Sequence, residues 1–182
     1  MIPVTIIANL LLFTGLLLLL SMYFMKNRRV FLISNTCVAF LFAASLFLHD
    51  QPAGAYPMLI AGLASFLQTL FSQDQLRKTI VFRNCIAVLC TAIAVVLVYE
   101  TPNDIIPVLC IACSRFGETR SRTQYIKLGY VFSASLWIQY SLLEGLYFFA
   151  FIQLVSTLTG ITTIWVEEQK SKTLKAANPI VA

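Results

Sequence analysis

Six side-chain amides, Asn9, Asn35, Gln68, Asn84, Gln139 and Gln153, stand inside otherwise apolar runs of this 182-residue chain. An amide brings both donors and an acceptor, and burying it unpaired in hydrocarbon is costly, so each must face another helix or a bound molecule. Paired donors and acceptors suit a hydroxyl-rich or zwitterionic solute. Trp137, two residues before Gln139, adds an apolar face on which a ring can rest. Asn35, Gln68, Trp137, Gln139 and Gln153 are therefore the candidate solute contacts. The plainer role for the same amides is to tie helices together, at about 0.6 to 2 kcal/mol each.

Other reactive groups are sparse. His49, the one histidine, neighbours Asp50 at the end of an apolar run, where a proton relay and a solvated loop pair are the alternatives. No carboxylate is read deep within a run, and proton-coupled pumps place one there, so movement of a solute is expected to be uncoupled. Cys110-x-x-Cys113 has redox spacing, but both thiols fall mid-run in apolar surroundings, where they are inert, and the acidic loops carry no second pair. No third ligand joins them, so neither a metal site nor a cofactor is expected. The chain also has no phosphate-binding glycine loop, no H-E-x-x-H and no serine-nucleophile motif, and it is not expected to be an enzyme.

The elements that hold these residues follow from composition and charge. With 59% hydrophobic and 12% charged residues the chain lies far from soluble domains, which carry about 25% charged residues. A helix needs roughly 20 apolar residues to cross the hydrocarbon, so there is room for seven crossings and no soluble domain. All thirteen Lys and Arg residues fall in alternate gaps: Lys26, Arg28 and Arg29; Arg77, Lys78 and Arg83; Arg115, Arg120, Arg122 and Lys127; then Lys170, Lys172 and Lys175. The intervening gaps hold Asp50, then Glu100 and Asp104, then Glu144. Cations prefer the cytoplasmic side, which sets the N-terminus outside and the C-terminus inside. The net charge of +5 thus belongs to headgroups and orientation, and no nucleic-acid partner is expected.

The crossings are read at 2 to 25, 30 to 48, 56 to 73, 79 to 98, 104 to 117, 127 to 142 and 146 to 166. They are helices because the runs are continuously apolar, without the alternation of a barrel strand. The first lacks a preceding basic residue and an A-x-A site, so a retained helix is expected rather than a signal peptide. The fifth is short, about 21 Å at helical rise, and Arg115 within it is expected to snorkel to the inner headgroups. Pro3, Pro57 and Pro107 are placed at span starts, with Pro3 and Pro107 the candidate hinges and Asp104 a cap for the fifth span. Tyr56, Tyr99, Tyr140 and Tyr147 read as an outer aromatic belt and Trp165 as an inner one, and the tail from Gln169 is expected to fray.

Two echoes hint at duplication. Ile2-Pro3-Val4 with Ile7-Ala8 recurs as Ile106-Pro107-Val108 with Ile111-Ala112, and Gly54-x-Tyr56 recurs as Gly145-x-Tyr147. They suggest one transmembrane domain over 1–182, with parallel three-helix units at 1–73 and 104–166, a linker helix at 79–98 and a cytoplasmic tail at 167–182. Pro52-Ala53-Gly54-Ala55, Ile105-Ile106-Pro107-Val108 and Leu136-Trp137-Ile138-Gln139 resemble the YgjV-type bacterial inner-membrane proteins over nearly the whole chain. That family is grouped with the PQ-loop, MtN3 and SWEET superfamily, so the resemblance implies a three-one-three bundle and a small polar cargo, sugar among the options. No Pro-Gln pair occurs here: Pro3 and Pro107 are each followed by valine. The expected function is uncoupled passage of a small polar solute through a multi-pass inner-membrane bundle. The alternative is a non-transporting assembly or interaction protein, and monomer and homodimer both stay open.

Overall fold

The structure, a computed structural model, describes residues 3–25, 27–70, 73–118 and 123–177. Ile2, Lys26, Arg120 and Arg122, together with the side chains of Arg28, Arg77, Lys172 and Lys175, lie outside what it describes. Among the described residues the chain is helical: α1 Val4–Tyr23, α2 Arg28–Leu48, α3 Pro52–Leu70, α4 Gln73–Leu97, a 3₁₀ turn Pro102–Asp104, α5 Ile105–Glu118, α6 Thr123–Leu143 and α7 Tyr147–Ala177. Five of these helices, α1 to α4 and α7, are long and apolar enough to cross a membrane. The other two fall short for a reason that bears on function. α5 has only 14 residues and carries Arg115 and Glu118, while α6 is diluted by Lys127, Ser133, Gln139 and Ser141.

Neighbouring helices close into a ring. α1 packs on α2 and α7, α2 on α3, α5 on α6, α6 on α7, and α3 meets α5, with α4 lying against both α3 and α5. The neighbours of α1, α2 and α3 thus match those of α5, α6 and α7 in order. Inside lipid, apolar side chains gain little by leaving the lipid for one another, so close approach and interhelical polar bonds must hold such a ring. Two glycines supply the closest approach. A Cβ on Gly129 would sit 2.8 Å from the Gly117 Cα and 3.0 Å from the Cys113 carbonyl oxygen, so α5 and α6 touch backbone to backbone.

Both sharp corners at the acidic end use one device. Asp50 adopts φ 56° after α2, with the Gln51 N–H on the Leu46 carbonyl at 2.9 Å. Gly145 adopts φ 71° after α6, with the Leu146 N–H on the Ser141 carbonyl at 2.7 Å. These six-to-one bonds behind a left-handed residue are Schellman caps, and each turns the chain back within three residues. Gly54, the other member of the Gly-x-Tyr echo, lies inside α3 instead, so the two glycines do not occupy like places.

Several local expectations change. α3 begins at Pro52, which leaves Pro57 within the helix, where it removes a backbone donor. Asp104 caps backward: its carboxylate accepts from the Glu100 and Thr101 N–H groups, both at 2.9 Å, and the 3₁₀ turn it stabilises lengthens the short α5. Tyr140 is fully buried, with its hydroxyl donating to Gln51 Oε1 at 3.2 Å, and so leaves the belt that Tyr56, Tyr99 and Tyr147 keep. α7 continues helical through the tail to Ala177, where fraying from Gln169 was expected.

Candidate functional site

Along α5 the buried residues Pro107, Cys110, Ile111, Ser114, Arg115 and Glu118 recur at helical spacing and form one face. Arg115 and Glu118, three apart, therefore point the same way, toward α3 and α6. The Arg115 guanidinium donates through Nη1 to Glu118 Oε2 at 2.8 Å and through Nη2 to Ser65 Oγ at 3.1 Å. Glu118 is engaged on both oxygens, taking Gln68 Nε2 at 2.6 Å on Oε2 and the Tyr130 hydroxyl at 2.6 Å on Oε1. Asn35 on α2 donates to Ser65 Oγ at 2.9 Å, and Asn84 on α4 donates to the Arg115 carbonyl at 2.8 Å. Five helices are tied at one buried ion pair. Two of its atoms have no partner, the donor Arg115 Nε and the acceptor Gln68 Oε1.

Above this network, toward the acidic end, lies a cavity of about 60 Å³ enclosed by α1, α2, α3, α5, α6 and α7. Its wall includes Asn35, Arg115, Tyr130, Ser133, Trp137, Gln153 and Ser156. One water needs roughly 10 to 15 Å³, so this space holds several waters. Gln153 is 4% exposed, and its side-chain amide has no hydrogen bond to any described residue. A buried amide without a protein partner calls for a bound one. Ser156 meets the Tyr23 hydroxyl at 3.0 Å across the α1–α7 seam. The roof toward the acidic end is aromatic: Trp137 stacks edge-on with Tyr140 at 5.6 Å and Phe149 at 5.8 Å, and Phe42 with Phe149 at 5.1 Å.

Of the residues chosen from sequence, Asn35, Trp137 and Gln153 meet at this cavity. Gln68 stands one layer away, in the network on Glu118. Gln139 is on the outer surface of α6 and lines no part of the cavity, because it sits about 200° around the helix from Trp137. Pro107 is buried on α5 and Pro3 is exposed ahead of α1.

The model of one protein family, described as a bacterial inner membrane protein, matches residues 6–170. The chain belongs to this Imp-YgjV family. No curated protein and no solved structure matches it. Membership agrees with the apolar helices, and together they place the protein in the bacterial inner membrane as a multi-pass chain.

Two ion pairs in this family member overturn charge-based expectations. Arg115 does not snorkel: it is 1% exposed and paired inside the protein. Glu118, one residue past the expected end of the fifth span, is fully buried, so the bundle does contain an interior carboxylate. The i,i+3 spacing on a helix whose other buried residues share that face was the available signal. Lys127 is likewise buried, at 1% exposure, and pairs through Nζ with Glu167 Oε1 at 2.7 Å, joining α6 to α7. Cys110 is buried and Cys113 half-buried on α5, and both are free thiols.

Proposed function

We propose that this protein is a carrier that passes a small polar solute through the cavity between a first unit, α1–α3, and a second, α5–α7, with α4 as the linker. One observation carries the reading: polar groups from both units line one space at mid-bundle, and the Gln153 side-chain amide there has no hydrogen bond to a described residue. Amides serving only as glue would be paired with other helices, as Asn35 and Asn84 are. The matching order of neighbours in the two units supports alternation between them, in the manner of parallel-repeat carriers. The Glu118 network lies beside the space on one side and the aromatic cluster of Trp137 and Phe42 lines it on the other. Nothing in this reading calls for catalysis. The expectation of uncoupled movement rested on the lack of an interior carboxylate, and Glu118 removes that premise.

Uptake of labelled small solutes into proteoliposomes tests the reading. Trp137→Ala and Gln153→Leu should each lower flux by about tenfold or more, in line with loss of a stacking face or a paired amide contact. Gln139→Leu, on the lipid-facing surface, should leave flux unchanged. Equal flux in all three variants would remove the cavity from the pathway.

A further inference from the structure

The two orphan atoms of the buried network differ in kind. Arg115 Nε is a donor lacking an acceptor, and Gln68 Oε1 is an acceptor lacking a donor. Arg115 is also the cavity's charged wall. A ligand that brings an acceptor to Nε would satisfy the first of these.

Charge balance narrows the ligand. Arg115 and Glu118 together are neutral, so a neutral solute would leave Nε to compete for a weak acceptor, while an anion added alone would leave a buried negative excess. An anion that arrives with one proton leaves the sum unchanged. We propose that the cavity takes a small carboxylate, bound on the Arg115 guanidinium in exchange for Glu118, which takes up one proton on its carboxyl oxygen.

As a statement about binding this stands by itself; as a statement about cargo it rests on the carrier reading, which it makes proton-linked. The balance is simple: the carboxylate displaces Glu118 from Nη1 or docks on Nε, and a hydronium ion of the bulk water gives up one proton to the Glu118 carboxylate, breaking one O–H bond and forming another. The groups facing Glu118 are consistent with such an exchange. Arg115 comes from its own helix, Tyr130 from α6, and neutral Gln68 and Ser65 from α3. On α4, Asn84 holds the Arg115 carbonyl, and Arg83 is the adjacent cation in sequence. Tyr130 both lines the cavity and donates to Glu118, giving a hydroxyl between the ligand space and the carboxyl. The space holds several waters, which is room enough for acetate or lactate.

Calorimetric titration of the purified full-length protein with acetate, lactate and glucose tests this. Acetate and lactate should bind, glucose should not, and carboxylate affinity should fall as pH is raised, by at most about tenfold per pH unit, as uptake of one proton requires. Glu118→Gln leaves the guanidinium without its anion, so it should bind carboxylate about tenfold or more tighter near neutral pH and lose the pH dependence. Tyr130→Phe, a gentler change, removes one donor to the ionised carboxylate and should shift affinity the same way by less. Binding of glucose without binding of carboxylates, or a Glu118→Gln protein that binds carboxylate no tighter than the parent while Tyr130→Phe is also unchanged, would overturn the proposal. Carboxylate binding without flux would defeat only the carrier reading, and flux of a neutral solute without carboxylate binding would defeat only this one.

Discussion

Arg115→Leu should be the most damaging single substitution in the protein. It strands Glu118, fully buried, with two neutral donors and no cation. Removing one partner of a buried pair destabilises by about 3 to 5 kcal/mol, because the remaining charge has neither water nor a counter-ion. The expected result is loss of the monodisperse species on size exclusion in mild detergent and a large drop in thermal midpoint. The double variant Arg115→Leu with Glu118→Leu removes both charges and should recover much of that loss. Two singles that add to give the double would show that the groups are not coupled, and the site as described would be wrong.

Gly129→Val is expected to be nearly as severe for a packing reason. The new Cβ would meet the Gly117 Cα at 2.8 Å and the Gly117 nitrogen at 3.1 Å, and backbone atoms cannot rotate aside. Overpacking commonly costs about 1 to 3 kcal/mol and more where nothing can yield. Separating α5 from α6 would also pull Tyr130 from Glu118, so the effect should reach the polar network. Gly15→Ala is the informative comparison. Its Cβ would meet the Phe42 ring at 2.4 Å, a side chain that can turn, so it should be the milder change despite the shorter distance. Thermal unfolding of both variants in the same detergent checks this, and the reverse order would contradict the backbone-contact account.

Much of this arrangement was legible before any coordinates. Continuous apolar runs separated by charged gaps require helices, and these helices appear close to where the runs predicted them. The cavity is legible in part, because a buried amide must have a partner: Asn35 and Gln153 stand out on that ground and do line it, as does Trp137, expected as an apolar face for a ring. Gln139 is an amide inside an apolar run on the same ground, with Trp137 added as its neighbour in sequence, yet two positions along a helix put the two side chains on nearly opposite sides. The ion pair was missed because a cation near a span end has two physical options, water or an internal anion. The charge-segregation rule favoured the first for Arg115. Its neighbours at 107, 110, 111, 114 and 118, all on the protein-facing side of α5, decide for the second. Lys127 was read as a loop cation for the same reason, although its partner Glu167 lies 40 residues away and no local pattern reveals it. The Schellman corner at Asp50 had no glycine to announce it, unlike that at Gly145.

The central claim is that the space at Gln153 is a wet, solute-binding cavity and that the face at Gln139 is not. Cysteine placed singly at each position, in membranes treated with a small polar thiol reagent and read by site-specific mass spectrometry, tests it most directly. Gln153→Cys should react, and react more slowly when a bound solute fills the cavity, while Gln139→Cys should stay unmodified. A Gln153→Cys thiol that remains inert, or one whose reaction no solute slows while Gln139→Cys reacts freely, would contradict the account.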